Sequence, residues 1–184
     1  MEFLKFKKVK DGKYLKNYEI TYRNKAGKEK TYEIVSRREL DSIEEVGGAP
    51  SGVSIVATHG EKMLLLHEFR MGVNRKIYNL CAGMIEPEES IEDCISRELY
   101  EETGLQISRI QKILPPSYAA VAISDTTTYI AFVEVDGVFA DHTSENEEIE
   151  ANFYDKEEIK KLLETESFSS RAQIMAAYFF AYYE

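Results

Sequence analysis

Little in this chain supports a disulfide scaffold, a zinc site, a membrane span or a nucleic-acid surface. Only two of its 184 residues are cysteine, Cys81 and Cys94, which make neither a disulfide framework nor a zinc pattern. No apolar run is long enough to cross a bilayer, and the charged, alternating start MEFLKFKKVK suits a strand better than a targeting helix. The expected location is therefore the cytoplasm, with no membrane partner. Basic residues are outnumbered, 23 Lys and Arg against 33 Asp and Glu, a net charge of −10. With no basic field to neutralise phosphates, nucleic acid is not expected as a partner. The three histidines, His59, His67 and His142, fall in a turn, near a strand end and in an acidic loop, and carry no catalytic pattern. Internal repeats and low-complexity segments are absent. A hydrophobic content of 43% with 30% charged residues is ordinary for a soluble globular protein, here one domain with an extension.

Residues 1–46 read as an antiparallel meander. Tyr18, Ile20 and Tyr22 alternate with Glu19 and Thr21, Thr31 to Val35 is a second β-rich run, and 24–28 between them is turn chemistry. The GGAPSG stretch at 47–52 is the best linker candidate, leaving 52–184 as the main domain. Within it, Val53 to Ala57, Lys62 to Phe69, Gln106 to Leu114, Thr128 to Val135 and Ile149 to Tyr154 read as strands. Asp155 caps a helix that runs to about Glu164. A last helix near Ser170 to Tyr183 is apolar almost all round, at Ile174, Met175, Tyr178, Phe179, Phe180 and Tyr182, and is too short to span a bilayer. A 46-residue strand unit has too little core to stand alone, so pairing with a second copy is expected, with extension of its own sheet as the plain alternative.

The most constrained segment is 83–105, GMIEPEESIEDCISRELYEETGL. Ser90 and Asp93 have capping-box spacing, Gly104 suits a left-handed helix end, and Ile91, Cys94, Ile95 and Leu99 form an apolar stripe. Glu98 and Glu102, four apart, share a face beside Glu101, and Arg97 can pair with Glu101. Carboxylates gathered on one face repel one another. A hard divalent cation removes that penalty, and Mg²⁺ favours carboxylate oxygens together with substrate phosphate. A solvated acidic helix face is the plain alternative for such a run taken alone.

Nine positions of this segment, Gly83, Glu89, Arg97, Glu98, Leu99, Glu101, Glu102, Gly104 and Leu105, match the Nudix box, so the chain resembles the Nudix hydrolases. The resemblance implies an α/β/α sandwich of the α+β class, with a mixed sheet and an N-terminal strand extension. It implies hydrolysis of the pyrophosphate bond of a nucleoside diphosphate derivative. Mg²⁺, with Mn²⁺ as a substitute, would be held by Glu98, Glu102 and the Ala82 carbonyl, with Glu101 and Glu89 as further ligands or supporting contacts. Arg97 would orient the Glu cluster.

The N-terminal strands and GG connector are similar to the ADP-ribose/ADP-sugar pyrophosphatase branch, which implies a homodimer through those strands and AMP plus a sugar phosphate as products. His67-Glu68-Phe69-Arg70 stands where that branch has Glu-Gln-Tyr-Arg, making Arg70 a phosphate-contact candidate. A surface salt bridge is its plain alternative. Asn79-Leu80-Cys81-Ala82-Gly83 stands for Glu-Leu-Pro-Ala-Gly, with Asn79 and Cys81 departing from the pattern. Ser124-Asp125 keeps a polar pair expected to face substrate, but Ala120 replaces the proline that usually precedes it. In the acidic loop, Glu145 is the first candidate for general base and Glu147 the second; a loop with no catalytic role accounts for the same residues. Two readings compete with an ADP-sugar hydrolase. The same chemistry could act on a dinucleoside polyphosphate, a nucleoside triphosphate or coenzyme A, or the fold could sense a nucleotide sugar without turnover.

Overall fold

The computed structural model describes all residues except 141, 143–146, 183 and 184. The chain divides into two compact units, Met1–Ser51 with Pro116–Thr128, and Gly52–Pro115 with Tyr129–Glu184.

The first unit is built on the meander β1 (Glu2–Asp11), β2 (Lys16–Arg23) and β3 (Glu29–Ser36), paired antiparallel in that order. Alternation on β2 turns Tyr18 and Ile20 inward with Ile34 and Leu40, and the buried Tyr18 hydroxyl accepts the Leu40 N–H at 2.8 Å. The β2–β3 turn closes on Asn24, whose Oδ1 accepts the amides of Ala26 and Lys28, while Gly27 takes φ 76°. Composition marks residue 46 as the boundary of this unit, but its contacts also enlist the remote segment 116–128. The Val35 amide donates to Ile123 O at 2.8 Å, and the Tyr32 hydroxyl donates to Ala122 O. Asp125, 6% exposed, pairs with Arg38 at 3.7 Å and accepts the Gly47 amide at 3.4 Å. A meander alone has too little apolar surface to close a core, and the added segment covers part of its edge.

The remaining strands are β4 (Pro50–His59), β5 (Lys62–Arg70), β6 (Arg75–Asn79), β7 (Cys81–Met84), β8 (Gln106–Tyr118), β9 (Thr127–Asp136) and β10 (Ile149–Tyr154). They form one mixed sheet in the order β10-β5-β4-β9-β8, with β6 on β5 and β7 on β4. Both faces are covered. Val53, Ile55 and Ala57 of β4, Leu64 and Leu66 of β5, and Ala131, Val133 and Val135 of β9 pack against Cys94, Ile95 and Leu99 of helix α1 (Ile91–Thr103). The intervening Val56, Met63, Leu65 and Phe132 pack against Ile159 of α2 (Lys156–Thr165) and Ala172, Ala176 and Phe179 of α3 (Ser170–Tyr182). A strand period of two thus feeds two separate cores, which makes the expected α/β/α sandwich.

The helix boundaries follow their caps. The Ser90 hydroxyl accepts the Asp93 amide ahead of α1, and Gly104 ends α1 at φ 76°, where a Cβ would also meet Ala140. Asp155 and Glu158 form a complete capping box on α2. Helix α3 is apolar almost all round in sequence, yet among its described side chains the buried ones are the stripe of Ala172, Ala176 and Phe179; Ile174 and Tyr178 are exposed. With 3.6 residues per turn, a single stripe can face the sheet.

Leu99 is fully buried between α1 and the sheet. Leu99→Ala is expected to lower unfolding stability by about 2–5 kcal/mol, measured by urea denaturation. A loss under about 1 kcal/mol would mean the α1 face is not a packed core.

Candidate active site

The site lies in the second unit, where α1 packs beside β7. Gly83 is indispensable there, because a Cβ on it would overlap the Glu98 carboxylate. Gly52 of the neighbouring strand must likewise stay bare, since its Cβ would run into the Gly83 carbonyl. These close backbone approaches place α1 against the sheet edge, with the Glu98 and Glu102 face of the helix turned toward a cavity.

That cavity measures about 450 Å³. Ala82, Gly83, Glu98 and Glu102 line one side, and Glu68, Arg70 and Glu147 are also on its wall. Glu102 is held by the Ala82 amide, which donates to its Oε2 at 3.1 Å. Burial is the chief cause that lifts the Glu102 carboxyl to about 8, with repulsion from Glu68 and Glu98 adding to it. Glu98 is also raised, again mainly by burial, although Arg97 opposes the shift. The wall therefore gathers carboxyl groups whose charged forms are disfavoured by burial and by one another.

Arg97 is the organising cation. It grips Glu89 with two parallel bonds, Nε to Oε1 at 2.7 Å and a terminal nitrogen to Oε2 at 2.9 Å. It also donates to Glu98 at 2.8 Å, to Glu101 at 3.2 Å and to the Met84 carbonyl at 2.9 Å. The Arg97 hydrogen bonds, with help from the Glu86 amide, hold the Glu89 carboxyl down at about 2. Glu101 is half-exposed on the outer side of this cluster and does not line the cavity. Burial, then the adjacent Glu102 charge, pushes the Cys81 thiol well above its ordinary value, so the thiol stays protonated.

The structure therefore gathers Ala82, Glu98, Glu102, Arg70 and Glu147 around one cavity and sets Arg97, Glu89 and Glu101 behind them. Ser124 and Asp125 belong to the first unit. There the Ser124 hydroxyl accepts the Thr126 amide at 3.1 Å, and Asp125 is engaged by Arg38 and Gly47. Glu145 lies outside the described residues. Glu68 was not singled out by motif, although β5 carried the signal. Positions 64, 66 and 68 share the α1-facing side, and only the last is charged.

A NUDIX domain model matches residues 48–178. This chain belongs to the Nudix family. It is 30% identical to the ADP-sugar pyrophosphatase of Mus musculus over 131 residues, 70% of this chain and 59% of that protein. It is 38% identical to the NAD-capped RNA hydrolase NudC of Stutzerimonas stutzeri (strain A1501) over 72 residues, 39% of this chain and 23% of that protein. The chain thus spans well under two thirds of the length of these relatives. In fold it is similar to an ADP compounds hydrolase known from a crystal structure, with a TM-score of 0.75 over 96% of this chain and 90% of that one, at 18% identity. Nudix hydrolases generally use divalent metal ions. Among the described residues no three His, Cys, Asp or Glu side chains stand ready as a cage. The donor set nevertheless suits a hard cation: two carboxyls on a cavity wall, one of them lifted to about 8, chiefly by burial and then by its acidic neighbours.

The depressed Glu89 carboxyl has a consequence for acid stability. Its contribution is complete above about 4.5, the ordinary value, and is lost as pH falls toward about 2. Urea denaturation between pH 6 and pH 3 should therefore show falling stability, with a shallower fall in Glu89→Gln. Identical slopes would show that Arg97 does not hold Glu89 in the folded state.

Proposed function

We propose that this protein is a metal-dependent pyrophosphohydrolase acting on a nucleoside diphosphate joined to a second group, with ADP-ribose or another ADP-sugar as substrate and AMP and a sugar phosphate as products. The observation that carries the reading is the Arg97-organised carboxylate wall of Glu98 and Glu102 facing a 450 Å³ cavity. The mouse relative named ADP-sugar pyrophosphatase, matched over 70% of this chain, supports the substrate class. The NudC match covers 39% of this chain and speaks for bond chemistry only.

Glu98, Glu102 and the Ala82 carbonyl would hold Mg²⁺, with Mn²⁺ as a substitute. Few protein ligands suit an ion that keeps water and substrate phosphate in its shell. When bound, the metal offsets charge on the non-bridging phosphate oxygens and favours an attacking water. The chain's own groups do the rest. Arg97 keeps Glu98 oriented, and Arg70 offers a guanidinium to the phosphates. Glu147, on the cavity wall, accepts the proton of the attacking water as one P–O bond of the bridge breaks. The phosphate monoester on the other side leaves. The first unit serves a homodimer in which its strands pair with a second copy.

Two substitutions test these roles on ADP-ribose, with products resolved by chromatography. Glu102→Gln is expected to abolish turnover and to weaken Mg²⁺ binding measured by calorimetry. Wild-type turnover in that variant would remove Glu102 from the metal site. Glu147→Gln should lower kcat by about 10²–10⁴-fold with little change in KM. An unchanged kcat would return the base to another group.

A further inference from the structure

Glu68 is a carboxylate on an apolar face. Leu64 and Leu66 precede it on the same side of β5, and its side chain is only 7% exposed. Burying such a charge is costly unless it is paired and hydrogen-bonded. Its two oxygens are served from different directions. Asn79 Nδ2 donates to Oε1 at 2.6 Å, and an Arg70 terminal nitrogen donates to Oε2 at 3.2 Å. The chain of contacts continues outward, because the Ser169 hydroxyl donates to Asn79 Oδ1 at 2.6 Å. Ser169 is itself fixed at the start of α3: its carbonyl accepts the Gln173 amide at 2.9 Å, and its own amide donates to Tyr78 O at 2.9 Å. A short polar path thus runs from the α3 N-terminus through Asn79 and Glu68 to Arg70, and ends on the wall of the carboxylate cavity.

The polarity of this path has one consistent sense. Ser169 donates to the Asn79 carbonyl oxygen, which turns the Asn79 amide nitrogen toward Glu68 and leaves the second Glu68 oxygen for Arg70. A guanidinium has five donors, and the Glu68 contact occupies one. The Arg70 side chain is 57% exposed. An exposed arginine ordinarily samples many rotamers, and anchoring one edge of its fork reduces the entropy lost when the other donors meet an anion.

We propose that Ser169, Asn79 and Glu68 are positioning residues that aim the Arg70 guanidinium at the phosphate oxygens of the substrate. The inference rests on the pyrophosphohydrolase reading for its substrate, but its test does not depend on turnover. The probe is inorganic pyrophosphate with Mg²⁺, its Kd measured by calorimetry for wild type, Glu68→Gln, Arg70→Ala and the double variant. Glu68→Gln is nearly isosteric and keeps an acceptor for Asn79. It is expected to weaken binding about tenfold, within the range in which contacting side chains couple. Arg70→Ala should weaken binding at least as much, and the double variant should bind no more weakly than Arg70→Ala alone. Ser169→Ala, at the far end of the path, should weaken binding severalfold in wild type and have no effect in the Arg70→Ala background. A purely structural role for these residues would move the thermal midpoint but not produce that dependence on Arg70.

Unchanged affinity in Glu68→Gln, losses that multiply in the double variant, or no pyrophosphate binding by wild type would each overturn the relay. Turnover of ADP-ribose by wild type tells the two readings apart. Turnover without Glu68–Arg70 coupling sinks the relay alone. Coupling without turnover on ADP-ribose or other pyrophosphate substrates supports the relay and sinks the hydrolase.

Discussion

The grip of Arg97 on three acidic partners and a backbone carbonyl is the interaction on which the site depends. One planar cation joins the loop residue Glu89, the helix residues Glu98 and Glu101, and the Met84 carbonyl at the end of β7. Without it, α1 would carry three glutamates within five residues, with mutual repulsion and nothing from the helix to orient Glu98 and Glu101. A point charge on a flexible stem could lessen the repulsion. It could not reproduce the bidentate fork on Glu89 that fixes the guanidinium plane.

The charges left over by this arrangement matter as much as those satisfied. Glu89 is so well served that its carboxyl sits near 2, while Glu102, near the other end of the same segment, is lifted to about 8. The difference is one of burial and partners: Arg97 and the Glu86 amide serve Glu89, whereas Glu102 lies deep with Glu68 and Glu98 as neighbours. Two carboxyls driven in opposite directions within one cluster are what marks it as a candidate functional site. Gly83 makes the arrangement sterically possible, because the Glu98 carboxylate occupies the volume that any side chain at that position would need.

Much of the fold was legible because its signals are local. The hydroxyl of Ser90, the capping box of Asp155 and Glu158, and the left-handed Gly104 each act within one turn of chain, and all are found where the spacing puts them. Strand alternation was equally readable, and so was the turn at Asn24. The box residues were legible for the same reason: a helix repeat places Glu98 and Glu102 on one face whatever surrounds them. Less visible was the enlistment of 116–128 by the N-terminal meander, which depends on bonds such as Val35 to Ile123 across some ninety residues of chain. The outward face of α3 was also hidden, because an all-apolar sequence does not say which stripe meets the sheet.

The sequence by itself therefore determined the family, the element order and the carboxylate helix, since these rest on spacing within a few residues. Only the tertiary structure decided that Glu68 sits on the cavity wall, that Asn79 and Ser169 stand behind it, and that Asp125 is engaged by Arg38. Those outcomes come from contacts between strands and segments remote in the chain, where burial and the nearest partner set a side chain's role. A residue's type says what it can donate or accept; its neighbours in space decide which of these it does.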